Sequence, residues 1–331
     1  MSDMVRRAFV TLLGATAIWP IAVLAQKADG VRRVGVIMGF AENDEVWQAY
    51  LATFRQALQE LGWTDGRNIR FVYRFSGESE ERMRRMAEEI VGLAPDVILA
   101  STNSVVSATL NATRSIPVVF TWVSDPVGSG FVTNLPHPGG KITGFHNFEP
   151  AIGGKWLAYL DQMAPGLRRV AVVHVPEIAP NVAFLRVVEA AAPQMGIAVS
   201  AAETRNAADI ERVLSNFGQQ GGGGLIVTPS ALTATRRDLI INLAARFGLP
   251  AIYSFGFYAE SGGLISYGIN QLEQARPAAS YVDQILRGAN PGDLPVQLPV
   301  KYELVINLKT AASLGLTVPN SLQLLADHVI E

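Results

Sequence analysis

Short polar segments rich in Ser, Thr, Asn and Asp recur in this chain, each just after an apolar, β-branched run. Ser101-Thr-Asn103 follows one such run and leads into helix-forming residues from Ser104. A helix start carries unpaired backbone N–H groups and a partial positive charge. With hydroxyls beside it, this triplet can hold a carboxylate although no Arg or Lys lies in the loop. The plainer reading is a helix cap. Ser124-Asp-Pro126 follows the next run, and Asp125 can either pair with an ammonium group or brace an Asx turn ahead of Pro126. His174, Glu177, Asn181 and Ser230 hold the matching places in the second half. There a satisfied rim histidine and a solvated loop glutamate are the alternatives. Phe40, Tyr253 and Phe255 stand at the ends of runs, as does Trp122, and can cover an apolar side chain. Trp47 and Phe54 recur at helical spacing and read as core. Together these residues describe a site for a small molecule bearing a carboxylate, with an amino acid or close analogue as the best fit.

Covalent and metal chemistry finds little support. There is no cysteine, which excludes disulfides and thiolate catalysis. The four histidines show no metal-ligand spacing. A dinucleotide site needs Gly-x-Gly-x-x-Gly after the first strand, but Met38-Gly-Phe-Ala-Glu-Asn43 stands there. No Gly-x-Ser-x-Gly elbow occurs. No cofactor is expected. The enzyme alternative is an exported hydrolase or racemase using Asp125, Glu177 or His174 across a cleft, without a recognised nucleophile–base pair.

The elements that position these loops alternate between strand and helix. Arg33–Met38, Ile69–Phe75, Pro95–Ala100 and Ile116–Val123 read as strands, with amphipathic helices between them. The order returns in Arg169–His174, Gly196–Ser200, Gly224–Thr228 and Leu249–Tyr253, and Tyr302–Leu308 reads as one last strand. Alternating strands and helices imply parallel sheets covered on both faces, and the repeat implies two of them. The expected fold is α/β, with two Rossmann-like lobes and a ligand cleft between the carboxyl ends of their strands. Residues 31–147 with about 269–296 are assigned to one lobe, and 148–268 with about 297–331 to the other.

At 331 residues, 49% hydrophobic and 17% charged, the chain suits two cores and not a disordered segment. A net charge of −2 gives no pull toward nucleic acid or anionic membrane. Arg6-Arg7, the uncharged stretch Ala8–Leu24 and Val23-x-Ala25 form a secretory leader pattern, with cleavage after Ala25 and a mature start at Gln26. An uncleaved N-terminal anchor is the alternative. A periplasmic, monomeric protein is expected.

Several segments carry a family resemblance: Arg32-Arg-Val-Gly-Val36, Leu58-Gln-Glu-Leu-Gly-Trp-Thr-Asp-Gly-Arg-Asn68, Ala94-Pro-Asp-Val-Ile-Leu99 and Val123-Ser-Asp-Pro-Val-Gly-Ser-Gly-Phe131. So do His137-Pro-Gly-Gly-Lys-Ile-Thr-Gly144, Gly154-Lys-Trp156, Gly262-Gly-Leu-Ile-Ser-Tyr-Gly268 and Leu304-Val-Ile-Asn-Leu-Lys309. Through them the mature chain resembles the ABC-transporter substrate-binding family that includes the tryptophan-type binding proteins. Lys141 stands where many relatives carry Asn. The resemblance implies a type I periplasmic binding fold, a small-molecule ligand, and an ABC transporter permease in the inner membrane as partner. Some members are associated with aromatic or aliphatic amino acids.

Overall fold

A computed structural model describes residues 30–331. The leader expected up to Ala25 lies outside the described residues. None of the described helices is long and apolar enough to cross a membrane.

The first sheet is parallel throughout. Its strands are β1 (Arg32–Met38), β2 (Ile69–Phe75), β3 (Val97–Ser101), β4 (Val118–Val123) and β5 (Ile142–His146), in the order β2-β1-β3-β4-β5. Every residue of β3 and β4 is buried, so both faces of the sheet need an apolar cover. Helix α1 (Glu45–Glu60) supplies one, burying Trp47, Tyr50, Leu51, Phe54 and Leu58 along a single stripe. Helix α2 (Glu80–Gly92) buries Met83, Ala87 and Ile90. It lies so close to β1 that a Cβ on Gly35 would stand 2.5 Å from Ile90 Cγ2. Helix α3 (Asn103–Ala112) follows β3 directly.

After α4 (Ile152–Met163) comes the second sheet, with β6 (Arg169–His174), β7 (Ala198–Glu203), β8 (Gly223–Val227), β9 (Ala251–Tyr253), β10 (Ile265–Gly268), β11 (Glu303–Asn307) and β12 (His328–Ile330). Their order is β12-β11-β10-β9-β8-β6-β7. Between these strands run α5 (Ala179–Ala191), α6 (Ala207–Gly218), α7 (Ala231–Thr235), α8 (Arg237–Arg246) and α9 (Gly256–Glu260). This sheet departs from the expected all-parallel pattern, because β11 runs antiparallel to β10. After β10 the chain leaves for the first sheet, where α10 (Ala275–Leu286) packs on α1, β3, β4 and β5. It re-enters beside the end it left, pairing Glu303 with Gly268, and so must run back along β10. Trp63 Nε1 donates to Asp283 at 2.7 Å, and Arg276 pairs with Glu60 at 2.6 Å, tying α10 to α1.

Strands β5, β10 and β12 add to those read from the sequence. In β5 the apolar alternation is broken by Gly144, which stands against the neighbouring strand: a Cβ there would lie 2.1 Å from Phe120 O. A residue chosen for close approach weakens the very pattern by which a strand is recognised.

Candidate functional site

In each sheet the strand order turns around a fixed point: between β1 and β3 in the first, and between β6 and β8 in the second. Ligands of open parallel sheets bind beyond the carboxyl ends of the strands flanking that point. In the first lobe those ends deliver Phe40 and Thr102–Ser104, with Trp122 and Ser124 from neighbouring β4. In the second they deliver Ile178, Pro229 and Ser230, with Ala231, Ala234 and Phe255 beside them. These twelve residues line one shared cavity of about 20 Å³. That is room for about one water molecule, so the lobes are shut. No Lys, Arg, Asp or Glu lines it. Outward it gives way to a wider mouth of about 290 Å³, reached by Asn103, Ser107, Phe131 and Glu177.

Thr102 is the most unusual residue of the lining. Its φ of 69° and ψ of 153° fall where glycine is normally required. It is the N-cap of α3, yet its side chain makes no capping bond. Its Oγ1 is buried with no partner among the described residues. Gly39 makes this arrangement possible, since a Cβ there would lie 2.8 Å from Thr102 Oγ1. Helix α5 likewise begins, at Ile178, without a side-chain cap. The aromatic wall is continuous across the cleft. Phe40 stacks on Trp47 at 3.5 Å, and Trp122 stacks on Phe255 of the other lobe at 5.8 Å.

Of the thirteen residues expected from the sequence, Phe40, Thr102, Asn103, Ser124, Ser230 and Phe255 line the cavity. The others stand nearby in other roles. Ser101 Oγ accepts from Gly39 N at 3.0 Å and holds the β1 end against β3. Asn103 does double duty: its amide donates to Ser124 O at 2.7 Å and accepts from Ser124 N at 3.0 Å. Asp125 Oδ1 accepts from Gly128 N at 2.9 Å, the Asx-turn alternative, and Pro126 O closes the same turn on Phe131 N. Asn181 is consumed as a brace, accepting from Val175 N at 3.0 Å and donating to Pro229 O at 2.9 Å. His174 is buried with Nδ1 3.1 Å from Val172 O. Glu177 stands at the outer mouth, 2.5 Å from Arg205. Tyr253 lies in the core, stacked on Tyr258 at 4.8 Å, and burial drives its hydroxyl pKa upward. Ile178, Pro229, Ala231 and Ala234 carry no polar or aromatic signature, and only their loops were legible.

Two ion pairs join the lobes beside the cavity. Arg236 grips Glu78 with two bonds, at 2.9 and 2.7 Å, and Arg237 reaches Asp44 at 2.5 Å. Asp44 works at two places. It caps α1 through Val46 N, and its second oxygen takes Arg237.

The family of ABC transporter substrate binding proteins matches this sequence over residues 34–330. The chain belongs to that family. A substrate-binding protein of this kind binds a small molecule for delivery to an ABC transporter permease. The tyrosine-binding protein of Clostridioides difficile (strain R20291) is 24% identical over 264 residues, 80% of this chain and 75% of that protein. Among solved structures, a conserved domain protein from Vibrio cholerae O1 biovar El Tor superposes with a TM-score of 0.84 at 26% identity, covering 90% of this chain and 99% of that one. The ABC domain in complex with L-Trp from Streptococcus pneumoniae gives 0.83 at 21% identity, covering 91% and 100%. The substrate-binding protein described here shares their type I periplasmic binding fold.

Proposed function

We propose that this protein is the extracytoplasmic receptor of an ABC importer, and that its ligand is an amino acid with a flat apolar side chain. One observation carries the reading: an uncapped helix start beside a buried, unpartnered hydroxyl, in a cavity free of ionic side chains and walled by Phe40, Trp122 and Phe255. The helix start suits a carboxylate, and the rings suit an aromatic or large aliphatic side chain. Relatives described as tyrosine-binding and L-Trp-bound support the same class of ligand. The shut cavity is smaller than an amino acid, so binding requires the lobes to part and reclose with Phe255 drawn back from Trp122. In this reading the lobes are 31–147 with about 269–296, and 148–268 with about 297–331. The Arg6-Arg7, Ala8–Leu24 and Val23-x-Ala25 pattern supports export, with the mature chain from Gln26 in the periplasm.

The test is calorimetry and thermal denaturation against the common L-amino acids, with mass spectrometry of the recovered ligand. Aromatic amino acids should stabilise the fold by about 2.7 kcal/mol at a hundredfold excess over Kd and come back unchanged. Chemical conversion of the ligand would replace the receptor with an enzyme. Absence of binding by every amino acid would remove the ligand class.

A further inference from the structure

The pairing of β4 with β5 breaks register between Phe120 and Val123, and Trp122 lies inside that break with φ of +61°. A bulge of this kind re-aims a side chain, and strain at a bulky residue persists only where the surroundings enforce it. Here the enforcement is visible. Trp122 N, displaced from the strand ladder, donates to Gln274 Oε1 at 3.2 Å. Gln274 is held in turn by His146 O at 3.2 Å and Asn147 Oδ1 at 3.0 Å. The result is an indole that is 4% exposed, lines the cavity, and has an Nε1–H with no partner among the described residues. Thr102 Oγ1, 7% exposed, lines the same small cavity in the same condition, at the uncapped start of the ten-residue helix α3.

An indole N–H can only donate. Two buried, unused groups beside a helix start therefore call for one acceptor, and a strong one. We propose that Trp122 anchors the ligand's carboxylate: its Nε1–H, Thr102 Oγ1–H and the first N–H groups of α3 share the negative charge. This rests on the amino-acid reading above and adds to it that the acid is held by neutral donors alone. The aromatic wall is then divided by task. Phe40 and Phe255 cover the ligand's side chain, and Trp122 both stacks and donates.

Calorimetry with the mature protein and its Trp122→Phe variant tests this, using L-phenylalanine and L-tyrosine alongside phenethylamine and tyramine, which lack the carboxylate. The substitution keeps an aromatic ring at the wall, smaller than the indole, and deletes the N–H. Hydrogen bonds to a charged group predict that Trp122→Phe weakens both acids by about ten- to a hundredfold, leaving the amines within about twofold. Thr102→Val should show the same acid-selective loss and serves if Trp122→Phe does not fold. In the wild-type protein labelled with ¹⁵N-tryptophan, one indole N–H resonance should move downfield with L-phenylalanine and stay with phenethylamine. A loss confined to tyrosine and tyramine would mean that Trp122 reads a ring hydroxyl, and would overturn the proposal. An equal loss for acids and amines, or none, would overturn it as well. If the wild-type protein binds neither acid, the amino-acid reading itself has failed and takes this one with it.

Discussion

His146 ends β5 where the chain first crosses between the lobes, and it is buried. Its Nε2 lies 2.8 Å from Phe148 O and 3.2 Å from Asp125 N, while Nδ1 has no partner among the described residues. Burial holds its pKa below the ordinary 6.5, against the pull of Phe148 O, Glu149 and Asp125. The sign of the pH effect follows. Above 6.5 the imidazole is neutral in both folded and unfolded chains and contributes nothing. Below 6.5 the unfolded chain takes up a proton that the folded chain resists, so stability falls with falling pH. Thermal denaturation between about pH 7.5 and 5 should show this decline. His146→Gln should be less stable at neutral pH yet flatter across the acid range. Identical slopes for the two proteins would show that His146 is not the group responsible.

At the scale of elements, the junction of α7 and α8 places two adjacent arginines against the first lobe. They are not equal. Arg236 and Glu78 are 43% and 22% exposed, and a pair so well hydrated is worth about 1 kcal/mol or less. Arg237 and Asp44 are 19% and 9% exposed, and Arg237 also lies over the Phe257 ring at 5.6 Å. Removing one partner leaves the other charge poorly solvated in the shut form, at a cost of roughly 1.5–3 kcal/mol. Because both pairs exist only when the lobes meet, that cost falls on closure and on ligand retention. Arg237→Ala should therefore raise the dissociation rate about ten- to a hundredfold, with a smaller change in association. Arg236→Ala should change it about fivefold at most. Stopped-flow release measured on both variants checks the ranking, and equal effects would show that burial does not set the strength of the clasp.

At the scale of the whole molecule, we infer that the lobes hinge about the segments that join them. Three strands of chain pass between the lobes, after β5, after β10 and before β11. Tyr302 OH donates to Asn147 O at 2.9 Å across two of these crossings, and burial pushes its pKa up to about 12. Gln274 links the second to the first. Rotation about these segments opens the cleft without disturbing either sheet. Small-angle scattering should show a smaller radius of gyration with an aromatic amino acid than without it, and Arg237→Ala should need more ligand to reach the same value. An unchanged radius at saturation would exclude closure on this ligand.

What the sequence alone determined about this protein was its architecture. Arg169–His174 is a strand over the residues read from the sequence because a central parallel strand is apolar through its buried stretch, Val170–Val173, and Ile69–Phe75 is one because its residues alternate along a half-buried edge strand. The repeat of those runs set two α/β lobes, and strand ends set where the cleft lies. Which side chains face the ligand was decided only by tertiary structure. Ser101, Asn103, Asp125 and Asn181 are the residue types a binding site uses, but they are equally the types that stitch loops together, and here their atoms bond to Gly39, Ser124, Gly128 and Pro229. The same ambiguity concealed Asp44, whose second oxygen finds Arg237, a partner 193 positions away. Trp122 shows the limit most clearly. Its direction comes from a bulge between β4 and β5 and from a glutamine 152 positions further on, and local spacing records neither, because long-range pairing creates both.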